Sequence, residues 1–157
     1  MRQELHEGSD SQLHHLARDI ATRAVVAVGL AGIALIHLLD SIGKYHETRY
    51  VFWMYVALML GSLLVAAGVL HRPQRSIWLA AAGLAAGALA GFVISRTVGL
   101  PNATDDIGNW TEPLGLASLF VEATVVGASL YGYLAADRSL NIAHRHDPTR
   151  RVDPLAA

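Results

Sequence analysis

Four long runs of apolar residues, separated by short polar stretches, dominate the pattern of the chain. The runs cover approximately residues 21–40, 50–70, 76–95 and 114–136. Each run is close to the ~20 residues that an α-helix needs to cross a hydrocarbon core of ~30 Å. Pro73 ends the second run, and Pro113 precedes the fourth, where the first helical turn tolerates proline well. The pattern predicts an all-α bundle of four transmembrane helices.

The two ends of the chain are polar. Residues 1–20 mix charges of both signs with histidines, and we interpret them as a polar tail, with a short amphipathic surface helix from Ser11 onward as the alternative. They do not resemble a signal peptide, because the apolar run that follows is too long. Residues 137–157 are polar, contain two prolines and are expected to be disordered. The predicted membrane domain is therefore 21–136.

The distribution of basic residues predicts the orientation of the helices. Most arginines lie in the two tails and in the loop between the second and third runs, whereas Lys44, Arg49 and Arg96 lie in the other two loops. By the positive-inside rule, both termini are expected in the cytoplasm. The loops 41–49 and 96–113 then face outward.

The composition agrees with a small membrane protein that is surrounded by the lipid bilayer. The 157 residues are 53% hydrophobic and only 16% charged, which is too apolar for an ordinary soluble domain. A net charge of −1 provides no basic field, so no nucleic-acid partner is expected. Cysteine is absent, which excludes disulfides and cysteine nucleophiles. The chain has no phosphate-binding loop or hydrolase motif that would indicate an enzyme.

The third apolar run carries a stripe of small residues. Gly83, Gly87 and Gly91 recur every four positions, so a neighbouring helix backbone can approach closely. Gly29 and Gly32 on the first helix, and Gly127 with Ala123 on the fourth, are candidate partners within the bundle. A second copy of the chain, or a subunit of a larger membrane complex, is the alternative partner, and both possibilities remain open.

A polar cluster is predicted at the outer side, formed by Arg96, Asp105, Asp106, Glu112 and Glu122. Glu122 lies about 12 Å along its helix from the outer boundary, which places it inside the hydrocarbon. A carboxylate facing lipid there would cost several kcal/mol, so we expect Glu122 to be protonated, paired or turned toward a polar cavity. Arg96 is the nearest cation by depth.

Three interpretations of these residues remain open, and the first is structural. Arg96 would pair with Glu122 or Glu112, and His37 would bond to Asp40 or to a backbone carbonyl. These contacts would fix the register of the helices and hold the long outer loop in place.

The second interpretation is a divalent-metal site formed by His37, Asp40 and Glu122, with His46 or Glu47 as further candidate ligands. Helical bundles bind such metals through imidazole and carboxylate ligands from facing helices.

In the third interpretation, Glu122 is a protonatable relay next to His37, in a transporter or in a subunit of a redox or transport complex.

Three segments of the chain carry a resemblance to a known family. They are IHLLD (36–40), SRTVGLP (95–101) and DDIGNWTEPLGLASLFVE (105–122). They resemble small four-helix integral membrane proteins of actinobacterial type, to which no activity is assigned. The resemblance covers approximately residues 21–136 and implies the four-helix fold and a bacterial plasma membrane, but no cofactor. The polar residues Arg96, Glu122, His37 and Asp40 lead us to expect an accessory or small-solute or ion-handling protein, with a structural subunit or a metal-binding protein as alternatives.

Overall fold

The computed structural model describes the backbone of residues 2–145 and the side chains of residues 12–136. It contains four helices: α1 (Arg2–Glu47), α2 (Arg49–His71), α3 (Arg75–Thr97) and α4 (Pro113–Arg145). Each helix includes a stretch that is long and apolar enough to cross a membrane. The predicted all-α fold of four apolar helices is confirmed.

The first and last helices are longer than the apolar runs. α1 is already helical at Arg2, so residues 2–20 form a helical extension rather than an irregular tail. α4 continues beyond residue 136 as far as Arg145, and residues 146–157 of the expected disordered tail lie outside the described residues. Both extensions lack proline and contain many residues with good helix propensity, which explains why the helices continue.

The four helices do not pack equally against one another. α1 packs along both α2 and α4, α3 packs along α4, and the contact between α2 and α3 is the least extensive of these. The core between them includes Leu30, Ile33, Val69, Trp78 and Val125, all of which are buried. The bundle therefore has three well-packed sides and one looser side.

Small residues bring α1 and α4 together. A Cβ at Gly29 would collide with the side chain of Val125, and one at Gly32 would lie 3.4 Å from Val121 Cγ1. Gly29 and Gly32 thus allow a close approach of α4, as small residues do in membrane bundles. Their partner is α4, whereas the sequence pattern had suggested the glycine stripe on α3.

α2 and α3 are in contact near the turn that joins them. A Cβ at Gly68 would lie 3.1 Å from Ile77 Cδ1, and a Cβ at Gly61 would lie 3.0 Å from Leu84 Cδ1. At Gly83, Gly87 and Gly91, by contrast, a Cβ would have no neighbouring atom within 4 Å. Within the described residues, the stripe is therefore not covered by a helix, and a partner chain on it stays a prediction.

The two ends of the bundle differ. The end that carries the α1–α2 turn at Thr48 and the segment 98–112 is called the loop end below, and the other the turn end. At the loop end, Tyr50 Oη donates a hydrogen bond to the Pro101 carbonyl at 2.7 Å, and the Thr48 hydroxyl donates to the Asn102 carbonyl at 3.3 Å. The segment 98–112 therefore folds across the helix ends. Gly108, with a φ of +80°, allows its N–H to donate to the Arg96 carbonyl at 2.9 Å.

Candidate functional site

A cavity of about 510 Å³ lies inside the loop-end half of the bundle. All four helices and the segment 98–112 contribute to its walls. Its polar lining consists of His37, Asp40, Lys44, Tyr55, Ser95, Arg96, Asp106, Glu112, Ser118 and Glu122. Of the predicted polar cluster, only Asp105 is absent from the lining, and its side chain is exposed. The structure thus brings four of the five residues of the cluster around one space, and their role as a functional site stays a prediction.

Arg96 binds two carboxylates of the segment that follows α3. Its Nη2 lies 2.5 Å from Glu112 Oε2, and its Nη1 lies 3.0 Å from Asp106 Oδ1. The guanidinium also stacks over the ring of Phe92, with 4.9 Å between its central carbon and the ring centroid. Of the two partners expected for Arg96, the structure shows Glu112 and not Glu122. The charge of Arg96 is therefore already balanced at the loop end of the cavity.

Lys44 extends this ion-pair network to α1. Its Nζ lies 3.5 Å from Asp106 Oδ2 and 3.1 Å from Glu47 Oε2. Asp106 is consequently shared by a cation from α1 and a cation from α3. The network joins two helices to the segment 98–112 and closes the cavity at the loop end.

Asp40 and His37 have separate hydrogen-bond partners. Tyr55 Oη donates to Asp40 Oδ2 at 2.8 Å, and the His37 ring packs edge-on against the Tyr55 ring with centroids 4.9 Å apart. His37 Nδ1 lies 2.9 Å from the Ile33 carbonyl oxygen. Because a carbonyl can only accept, Nδ1 carries the hydrogen, and Nε2 is an acceptor when the ring is neutral. His37 therefore bonds to the backbone and not to Asp40.

Glu122 is fully buried and has no cationic partner among the described side chains. The Ser118 hydroxyl donates to its Oε1 at 2.6 Å, while Oε2 is buried without a hydrogen-bond partner. By helix rise, Glu122 lies about 14 Å from the start of α4, and His37 lies about 15 Å from the end of α1. The two side chains thus line the cavity at similar depths from the loop end.

The residues of the predicted metal site all line the cavity without forming a ligand set. His37, Asp40 and Glu122 contribute to the walls, whereas His46 and Glu47 do not. Within residues 12–136, no three His, Asp or Glu side chains are arranged to hold a metal ion. The divalent-metal site therefore stays a prediction that this arrangement of side chains does not itself support.

Four polar residues of the cavity lining are not identified as site residues from the sequence: Lys44, Tyr55, Ser95 and Ser118. Ser118 could have been found, because it precedes Glu122 by four positions and so lies one helical turn away. Tyr55 belongs to an aromatic group typical of a membrane interface. That interpretation gives no indication of its hydrogen bond to Asp40. The position of Lys44 opposite Asp106 depends on the path of the segment 98–112, which no sequence pattern indicates.

Comparison with known proteins provides no relative from which a function could be transferred. No protein-family model, no curated protein and no solved structure matches the chain. The chemistry of the cavity is therefore interpreted from its own residues.

Proposed function

We propose that this chain is a multi-pass protein of the bacterial plasma membrane, with both termini in the cytoplasm, that binds a small solute or ion in the cavity. The four apolar helices and the basic residues concentrated in the tails and the middle loop support this orientation. The resemblance to actinobacterial membrane proteins supports the location. In this orientation, the loop end and the cavity occupy the outer half of the bilayer.

The cavity and its polar lining are the observation that carries the proposal. Polar and ionisable residues within membrane helices are costly and mark solute or ion pathways when they face an internal space. The volume of about 510 Å³ falls within the range of about 300–1,000 Å³ that is usual for small-molecule sites. Asp40, Glu122 and the Nε2 atom of His37 are the acceptors that the ion pairs of Arg96 and Lys44 leave available.

The alternative role, a structural subunit of a larger complex, accounts for only part of this lining. The ion pairs of Arg96 with Glu112 and Asp106 hold the segment 98–112 and need no solute. A carboxylate oxygen on Glu122 that is buried without a partner contributes nothing to such a framework. The deeper part of the cavity is therefore the part to which we assign binding.

Single-cysteine labelling tests whether the cavity admits solutes, since the chain has no native cysteine. Ser95 lines the cavity, and its hydroxyl donates only to the Phe92 carbonyl at 2.8 Å. We expect Ser95→Cys, reconstituted in lipid nanodiscs, to react with methyl methanethiosulfonate, which is small and uncharged. Ser62→Cys is the matched control, because Ser62 is fully buried on α2 outside the cavity. A Ser95→Cys protein that is folded but as unreactive as the control would contradict the proposal.

Elemental analysis and mass spectrometry of the purified protein separate a solute from a metal. An organic compound that is retained and released by solvent extraction would support solute binding. One transition-metal ion per chain, lost in His37→Ala and Glu122→Gln, would instead support the metal prediction.

A further inference from the structure

The cavity has a side opening between α2 and α3. Met54 and Ala57 on α2, and Gly83 and Gly87 on α3, line the cavity and are also exposed. Each glycine leaves empty the space that a side chain would fill. Because the outer faces of a membrane bundle are surrounded by acyl chains, a solute passing through this opening comes from the bilayer.

Glu122 has fewer polar partners than the other acidic residues of the cavity. Asp106 and Glu112 bind Arg96, and Asp40 accepts a hydrogen bond from Tyr55. Glu122 receives only the Ser118 hydroxyl, and its Oε2 has neither a donor nor a positive charge beside it. A buried carboxylate without these partners is costly. A bound molecule that provides a hydrogen-bond donor and a positive charge beside Oε2 is therefore strongly favoured.

We propose that the cavity binds an organic ammonium compound with an apolar body, which enters from the bilayer between α2 and α3 and donates a hydrogen bond from its ammonium group to Glu122 Oε2. The inference rests on the proposed function and names the class of solute. An ammonium group provides a donor and a positive charge together. The apolar body would contact Leu58, Leu84 and Phe92, which line the same cavity.

Other classes of solute match the site less well. Ca²⁺ and Mg²⁺ take about six or more oxygen ligands, whereas Glu122 offers one free oxygen beside apolar walls. An anionic amphiphile would meet the carboxylates of Glu122 and Asp40, while Arg96 and Lys44 are already paired. An uncharged amphiphile would fill the apolar part but provide no positive charge beside Glu122 Oε2.

Three compounds that share one apolar chain test the head group: n-octylamine, octan-1-ol and octanoate. Binding is measured by calorimetry with the protein in zwitterionic nanodiscs, and empty nanodiscs correct for partition into lipid. We expect the wild-type protein to bind octylamine with a dissociation constant at least about tenfold lower than those of the other two, and Glu122→Gln to lose this preference. Equal constants for octylamine and octan-1-ol in the wild-type protein, or a preference that survives in Glu122→Gln, would overturn the inference.

Entry between α2 and α3 is tested by placing a larger side chain in the opening. Gly87→Leu is expected to slow the association of octylamine by about tenfold or more. Gly127→Leu is the matched control, because Gly127 on α4 also has open space at its Cβ position but does not line the cavity. Tryptophan fluorescence can follow association, since Trp110 packs against the cavity residue Phe92 with ring centroids 6.1 Å apart. Equal rates in the two variants would refute entry between α2 and α3.

The cysteine labelling and the comparison of head groups test different claims, so either can fail without the other. A reactive Ser95→Cys with no preference for octylamine rejects the ammonium inference alone. An unreactive Ser95→Cys in a folded protein rejects the proposed solute binding as well. The comparison of head groups uses the wild-type protein, so it does not depend on whether a variant folds.

Discussion

Arg96 Nη2 lies 2.5 Å from Glu112 Oε2, and this contact ties the end of α3 to the residue that directly precedes α4. The same guanidinium binds Asp106 in the middle of the connecting segment at 3.0 Å. Because the Arg96 side chain is only 7% exposed, water and salt screen these contacts weakly. The segment 98–112 is therefore a fixed wall of the cavity.

Removal of this cation is expected to destabilise the bundle. In Arg96→Met, Glu112 loses its cation and Asp106 keeps only Lys44, while both carboxylates remain partly buried. We expect the free energy of unfolding to fall by about 1–3 kcal/mol, less than for a completely buried pair, because both carboxylates are partly exposed. Unfolding in mixed micelles of increasing SDS content measures the change.

The control for this substitution is Arg23→Met. Arg23 forms an ion pair with Asp19 on the same helix, with both side chains partly exposed. Its loss should cost less than about 1 kcal/mol. If both variants changed stability equally, the pairs of Arg96 would not be the stronger of the two.

Glu122→Gln should leave the stability nearly unchanged. The amide has the same size, its oxygen can accept the hydrogen bond of Ser118, and the substitution removes a buried group that can carry charge. We expect the free energy of unfolding to stay within about 1 kcal/mol of the wild-type value in the same SDS titration. A variant that unfolds as readily as Arg96→Met would show that the carboxylate serves the structure.

The close contact between α1 and α4 leads to a third prediction. Gly29→Ala places a methyl group against Val125 and should destabilise the protein by about 1–3 kcal/mol. Gly83→Ala, where the added carbon meets no atom within 4 Å, should change stability by less than about 0.5 kcal/mol. Combining Gly29→Ala with Val125→Ala should recover part of the loss, because the two side chains compete for one space.

The orientation can be tested with cysteines in the two exposed connections. Asp105→Cys lies in the segment 98–112, and Gln74→Cys lies in the turn between α2 and α3. We expect a membrane-impermeant maleimide to label Asp105→Cys in intact cells and Gln74→Cys only after permeabilisation. Labelling in the opposite order would place the cavity in the cytoplasmic half of the membrane.

The helices could be predicted from sequence wherever an apolar run has the length that a membrane span requires. α2 and α3 begin and end within two residues of the predicted bounds, because charges and Pro73 mark both limits. The ends of α1 and α4 could not be predicted, since polar helical segments carry no apolar run that would mark them. Arg2 and Arg145 are helical because their segments have adequate propensity and no proline.

Of the geometry of the site, the sequence predicts only the depth of each residue along its helix axis. Counting residues gives the depth of Glu122 and Arg96, but depth along an axis does not say which way a side chain points around it. The path of the segment 98–112 decides the partners of Arg96, and this path depends on the contacts of Thr48 and Tyr50 with distant carbonyls. The periodicity of Gly83 and Gly87 likewise indicates a smooth surface without indicating whether a helix or an opening lies against it.

The two boundaries of the cavity respond differently to ionic strength. At the loop end, the ion pair of Lys44 with Asp106 is long, at 3.5 Å, and partly exposed, so added salt is expected to weaken it more than the pairs of Arg96. The side opening is bordered by Met54 and glycines, on which salt has no such effect, and methionine changes rotamer within nanoseconds. The dependence of the exchange rate on salt therefore reports by which boundary a solute leaves.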